Sequence, residues 1–98
     1  MTIAATGIHA QDAELLVKQG KRANYNNKPD EAILLFNQAL ELNSKFSDAY
    51  SGRAFAYYLK GNNKQAISDY SKVIELDPTN SEVYISRGSS YNDTQKFN

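Results

Sequence analysis

The chain has 98 residues, with 11 lysines plus arginines against 11 aspartates plus glutamates, so it carries no formal net charge. That balance argues against a general nucleic-acid binder, which ordinarily shows a basic excess. Cysteine is absent, which excludes disulfides and thiolate metal sites, and no apolar run approaches the ~18–20 residues of a membrane span.

Residues 1–12 (MTIAATGIHAQD) are small and largely apolar, with no charge before Asp12. The segment Ile8-His9-Ala10-Gln11 resembles the small-x-small end of a secretory signal peptide, but a basic n-region is missing and the apolar stretch is short. Two readings stay open: a signal-peptide remnant, which would make the protein periplasmic or exported, and a frayed N-terminal tail on a cytoplasmic protein. His9, the sole histidine, lies in this segment with no cysteine, serine or carboxylate cluster at a meaningful spacing.

From Ala13 the pattern becomes helical. Leu15, Leu16, Gln19, Gly20 and Ala23 share one approximate face of a first helix reaching Asn26. Asn27 then falls where the chain needs a left-handed turn, a conformation asparagine tolerates. Pro29 opens a second helix at a first-turn position, where its missing N–H costs little, and Asp30 and Glu31 suit the positive helix start. The apolar face of that helix runs through Ala32, Ile33, Leu35, Phe36, Ala39, Leu40 and Leu42.

Ser47–Asn80 repeats this plan. Ala49, Tyr50, Ala54, Phe55, Tyr57 and Tyr58 mark one helix, and Ala66, Ile67, Tyr70, Val73, Ile74 and Leu76 the next. Gly61 sits at the turn and Pro78 closes the unit. A shift of 34 residues aligns Ala32 with Ala66, Phe36 with Tyr70, and Leu42 with Leu76; a second aligns Tyr50 with Tyr84, Arg53 with Arg87, and Tyr57 with Tyr91. Matches at one fixed period across successive shifts mark a repeat architecture. Small residues at Gly20, Ala54 and Gly88, and at Ala32 and Ala66, allow helix backbones to approach. Each helix pair is too small to bury a core alone and must stack on its neighbour. The recurrence of Arg53 and Arg87 points to a structural pairing, with Asp69 as the expected acceptor between stacked repeats.

These residues resemble the tetratricopeptide repeat, a 34-residue helix-turn-helix unit. The middle repeat supplies Tyr50, Ala54, Tyr57, Ala66, Tyr70, Val73 and Pro78; the first Leu16, Gly20, Ala23, Ala32, Phe36, Ala39 and Ser44; the last Tyr84, Gly88 and Tyr91. Ala23, Ser44 and Gln95 replace the usual tyrosine, proline and turn glycine. The resemblance implies an all-α fold, a right-handed superhelical stack of antiparallel helix pairs. This α-solenoid has five helices in about two and a half repeats: residues 13–46, 47–80 and a partial 81–98. Phe97 falls where a sixth helix would begin. The last helix is therefore expected either to cap the stack or to await a partner helix.

The resemblance also implies a concave groove lined by the first helix of each repeat, holding a peptide or partner helix. Register places Glu14, Val17, Lys18, Lys21, Asn24 and Tyr25 there from the first repeat. Asp48, Ser51, Gly52, Phe55, Tyr58 and Leu59 follow from the second, and Glu82, Ile85, Ser86, Ser89 and Asn92 from the last. Among these, Lys18, Lys21, Tyr25, Asp48, Ser51, Phe55, Tyr58, Leu59 and Ile85 are the candidate binding residues. Phe55, Tyr58 and Leu59 offer apolar anchorage, although Phe55 and Leu59 also suit packing against a neighbouring helix. Lys18 and Lys21 offer a basic edge, which also serves simply as a solvated face. One subset of the family grips acidic C-terminal tails of heat-shock chaperones through cationic and amide side chains. The matching positions here are Val17, Lys21, Gly52, Glu82 and Ser86, of which only Lys21 is cationic, so such a clamp is not expected.

No catalytic constellation, phosphate-binding glycine loop or cofactor motif stands out. The expected activity is protein or peptide binding, without catalysis, cofactor, metal or nucleic acid. Two alternatives remain: self-association through the last helix into a homo-oligomer, and an accessory scaffold domain within a longer protein.

Overall fold

The computed structural model describes the backbone of residues 2–96 and the side chains of residues 11–94; Phe97, where a further helix was expected to begin, lies outside them. Five helices follow one another: α1 (Thr2–Tyr25), α2 (Pro29–Leu42), α3 (Ser47–Leu59), α4 (Asn63–Leu76) and α5 (Ser81–Lys96). Each packs on the next, and α1 also reaches α3, giving an elongated stack of 52 × 28 × 17 Å. This is the expected all-α solenoid. None of the helices is long and apolar enough to cross a membrane among the described residues.

One boundary differs. The repeat pattern starts at Ala13, yet α1 begins at Thr2 and so includes most of the segment expected to be a separate tail. Once a helix is nucleated, each added residue gains a hydrogen bond for one more fixed residue. Alanines at positions 4, 5 and 10 oppose this extension little.

The two inter-helix turns have the same construction. Asn27 adopts φ 60° and Gly61 φ 80°, the left-handed conformations expected of them. At the first turn Lys28 donates its backbone N–H to Ala23 O at 2.8 Å and Asn27 donates to Asn24 O at 2.9 Å. At the second, Asn62 donates to Tyr57 O and Gly61 to Tyr58 O at the same two distances. Both are Schellman ends, which satisfy carbonyls the helix leaves open and reverse the chain within a few residues.

The core forms around two aromatic rings at equivalent register. Phe36 is fully buried among Val17, Ala23, Ala32, Ala39, Ala49 and Ala56, and Tyr70 lies among Ala54, Ala66, Val73 and Val83. Phe36 reaches from α2 between α1 and α3 because both present glycine to it. A Cβ on Gly20 would meet the ring carbons at 2.7 Å, and one on Gly52 would meet them closer still. Burial of such a ring contributes about 2 kcal/mol by area alone. At the register of Gly52, one repeat on, Ser86 faces the hydroxyl of Tyr70. Burial raises the Tyr70 pKa, and the Ser86 contact partly opposes that rise.

Polar contacts recur with the same period. Tyr50 donates its hydroxyl to Ser44 O at 2.9 Å, and Tyr84 to Pro78 O at 3.3 Å. Arg53 lies over the Tyr50 ring and Arg87 over the Tyr84 ring. Arg53 donates to Asn37 Oδ1 at 2.7 Å, and Arg87 to Ser71 Oγ at 3.3 Å. Arg53 also pairs with Asp69, as expected from sequence, but α3 and α4 belong to one repeat. The ion pair therefore locks a hairpin internally, and the inter-repeat bond is the one to Asn37.

Candidate functional site

The first helices of the hairpins, with α5, line a concave face. Its main cavity, about 380 Å³, is bounded by Lys21, Asn24 and Tyr25 on α1 and by Ser51, Gly52 and Phe55 on α3. Tyr70 closes its floor, and Asn80, Glu82, Val83 and Ser86 complete it. A smaller cleft continues from Phe55 to Tyr58, Ser86 and Ser89. The helical period explains the lining: positions 51, 52 and 55 share one face of α3, and positions 21, 24 and 25 share one face of α1.

Four of the candidate residues, Lys21, Tyr25, Ser51 and Phe55, meet in this cavity. Tyr25 is 90% exposed and Phe55 43% exposed, so both offer aromatic surface to a ligand. Tyr58 sits beside them, its ring stacked with Phe55 at 6.4 Å between centroids. It is half-buried against the α4–α5 core rather than freely presented. The charge of Asp93, and then a hydrogen bond to it, raise the Tyr58 pKa. Asp48 does not line the cavity but forms an ion pair with Lys21 at 3.8 Å across the α1–α3 junction.

Three candidates stand elsewhere. Lys18 lines the cleft between α1 and α2, with Leu15, Arg22, Glu31 and Leu35, and is not part of the cavity lining. Leu59, on the last turn of α3, does not line the cavity. Ile85, 73% exposed on α5, lies outside it as well. Val17, assigned to the groove by register, is buried in the Phe36 core.

Asn24 and Glu82 matter more than the sequence alone suggested. Asn24 is only 8% exposed. Its Nδ2 donates to Gly52 O at 3.0 Å, which fixes the amide orientation, and its Oδ1 is buried without a hydrogen-bond partner. Their signal was present: both occupy groove registers, but Asn24 sits in an asparagine-rich stretch that reads as turn chemistry, and Glu82 reads as a helix-start acid. Tyr70 enters the lining from α4 and Asn80 from the approach to α5, which a first-helix register does not sample, and Val83 joins it from α5 itself. Among the described residues no group of three His, Cys, Asp or Glu side chains could hold a metal.

Two family models match the chain, one described as tetratricopeptide repeat over residues 47–80 and one as TPR repeat over residues 20–61. Together they span residues 20–80, well over half of the sequence. The chain belongs to the tetratricopeptide repeat family. Its TPR fold superposes on the first TPR domain of Spaghetti (RPAP3), solved bound to the HSP90 peptide SRMEEVD, with TM-score 0.82 and 26% identity; the match covers 88% of this chain and 70% of that one. Among curated TPR relatives, a protein SGT1 homolog of Oryza sativa subsp. japonica is 32% identical over 76% of this chain and 20% of its own length. The Hsp70-Hsp90 organizing protein of Triticum aestivum is 35% identical over 74% of this chain and 12% of its own length. The TPR unit thus spans a fifth or less of these curated relatives.

Proposed function

We propose that the chain is a protein-interaction module that holds a peptide or partner helix in the cavity between α1, α3 and α5. The observation that carries this reading is the concave face itself. Exposed aromatic side chains of Tyr25 and Phe55 border a cavity whose lining also brings in the polar side chains of Ser51, Asn80, Glu82 and Ser86. Concave sites with apolar walls and a few convergent polar groups are the usual form of ligand sites. The family is an interaction scaffold, though some chains that carry it are enzymes. This chain is read as non-catalytic, since the lining serines Ser51 and Ser86 make no hydrogen bond to Lys21 or Glu82, the charged groups beside them, among the described residues.

The partner class follows in part from the Spaghetti domain, which holds an acidic heptapeptide. In this chain the positions matching a carboxylate clamp provide a buried Val17, a Gly52 without side chain and an acidic Glu82. A peptide array probed with wild type, Phe55→Ala and Tyr25→Ala tests the groove. Each folded variant should lose roughly tenfold or more in affinity for the bound peptides, as exposed aromatic anchors do. Folded variants that bind every peptide like wild type would refute the assignment.

A second reading is carried by α5. On α3 the face bearing Tyr50, Arg53 and Ala54 is covered by α4, through the Arg53–Asp69 pair. The equivalent face of α5 bears Tyr84 and Tyr91, both exposed, and Gly88, beside which a Cβ would meet nothing within 4 Å. That face suits docking of a further helix, from a second copy of the chain or from the remainder of a longer protein. Light scattering over a range of concentrations tests the self-association form: a strict monomer with a stable α5 counts against it.

A further inference from the structure

We infer that the outer face of α5 docks a formed helix carrying a small residue and, three residues on, a carboxylate that pairs with Arg87. The inference rests on the second reading above, docking on α5, and adds what the docked helix must present. The molecule holds its own template. On α3, Arg53 lies over the Tyr50 ring, gives Nη1 to Asn37 of the preceding helix, and closes its Nε–Nη2 fork on Asp69 of α4. Ala54, beside it, is fully buried in one cluster with Ala66 of α4. One repeat later, Arg87 of α5 holds the same pose. It lies over Tyr84 and also over Tyr91, at 5.7 and 6.0 Å, and gives Nη1 to Ser71. Its Nε and Nη2 have no acceptor among the described residues. Tyr84, Gly88 and Tyr91 stand exposed where the matching face of α3 is covered.

Charge chooses the occupant. The acids of α5 are Glu82 and Asp93, and neither serves this face: Glu82 lines the groove cavity and Asp93 sits beside Tyr58. Pairing α5 with α5 of a second copy would bring two guanidiniums together without a counter-charge, and like charges reject one another. Glu75, one turn beyond Ser71 on α4, is engaged by Lys72 at 3.1 Å. At the equivalent place in the preceding repeat, Arg53 pairs with Asp69 and not with Glu41. Nor does a second folded copy offer the required helix from elsewhere. In the sequence an alanine followed three residues later by a carboxylate occurs only at Ala66 and Asp69, which α3 already holds. The occupant is therefore a helix other than those of this fold. Its carboxylate meets the open fork of Arg87, the bidentate geometry in which charge-assisted hydrogen bonds are strongest. Its small residue lies at Gly88, where the backbones can approach, and its apolar side covers Tyr84 and Tyr91. It docks already formed: segments shorter than about 12–15 residues hold little helix in water, so short flexible peptides are poor ligands here.

The test uses a fluorescein-labelled peptide of the α4 sequence, residues 63–76, hydrocarbon-stapled between positions 64 and 68, both exposed on α4. A second peptide carries Asp69→Asn. Fluorescence polarisation with the full chain should show the aspartate peptide binding about tenfold or more tightly than the asparagine one. Arg87→Gln in the chain should remove that difference, and Arg87→Lys should restore only part of it. Gly88→Leu should abolish binding of both peptides. A Cβ there meets nothing in the chain and leucine favours a helix more than glycine does, so this variant should fold. Equal affinity for both peptides, lost in Gly88→Leu, overturns the carboxylate selection and leaves docking on α5 standing. A preference for the aspartate peptide that persists undiminished in Arg87→Gln overturns the pairing with Arg87. Self-association of the wild-type chain that Gly88→Leu abolishes overturns the choice of occupant in favour of a second copy. Binding indifferent to Gly88→Leu, as exchange with the chain's own α4 would be, or no binding of either peptide, overturns the inference and the α5 docking reading together.

Discussion

Arg53 and Asp69 form a bidentate pair: Nε donates to Oδ2 and Nη2 to Oδ1, each at 2.8 Å. Asp69 is almost completely buried and Arg53 keeps only partial access to water. The hydrogen bond to Asp69 is the largest cause raising the Arg53 pKa, with burial opposing it. The third donor of the guanidinium, Nη1, reaches Asn37 in the preceding repeat. A single side chain thereby joins three helices, which sets the spacing of the groove wall formed by α3.

Arg53→Ala should cost about 2–3 kcal/mol in chemical denaturation, because it strands a buried carboxylate; partial solvent access of the guanidinium keeps it below the largest known losses. Arg53→Lys should recover only a fraction, since an ammonium cannot reproduce the planar fork. The double variant Arg53→Ala with Asp69→Ala should be less destabilised than the two single losses summed. Additive losses would show that the pair is not coupled.

Gly52→Ala should destabilise the chain by about 2 kcal/mol through overpacking against Phe36. Adding Phe36→Leu should return part of that stability, measured as urea midpoints. If Gly52→Ala is neutral, the close approach of α3 to the Phe36 ring is wrong.

Tyr70→Phe tests the ionisation of the buried hydroxyl. The folded pKa is raised above the ordinary 10.0. Below pH 10 the residue is protonated in both states and its contribution is intact. As pH rises past the unfolded value the unfolded chain loses its proton first, so stability falls until the higher folded pKa is reached. Wild type should therefore lose stability more steeply above pH 10 than Tyr70→Phe. At neutral pH the two should differ by about 1 kcal/mol or less, the net worth of one hydrogen bond. Parallel alkaline profiles would contradict this.

Features fixed by a few consecutive residues were legible in the sequence. Asn27 and Gly61 adopt the left-handed conformation because each helix end needs it locally, and the alternation of small and aromatic positions fixes the stack. The Arg53–Asp69 pair was legible as a partnership but was assigned between repeats, since register alone does not say which neighbouring helix supplies the acceptor. The groove was legible only in part. Lys21, Tyr25, Ser51 and Phe55 converge, whereas Lys18, Leu59 and Ile85 do not, because the curvature of the stack decides which of several first-helix positions face inward. Nor does the sequence show that Asn24 spends its amide N–H on Gly52 and leaves its oxygen buried; that follows from the α1–α3 approach made possible by the glycines.

Tyr25→Ala and Phe55→Ala should leave the unfolding midpoint nearly unchanged, within about 0.5 kcal/mol, because both side chains are substantially exposed. Thermal and urea denaturation check this. A large loss from either would make it a packing residue and weaken its assignment to binding.

The most direct measurement is a 15N-resolved NMR titration of the full chain with its tightest peptide from an array. Binding in the groove predicts saturable shift changes centred on Lys21, Asn24, Tyr25, Ser51, Phe55 and Ser86, with Tyr84, Arg87 and Tyr91 little affected. Saturable changes confined to Tyr84, Arg87 and Tyr91 would contradict the account and move the binding surface to the outer face of α5.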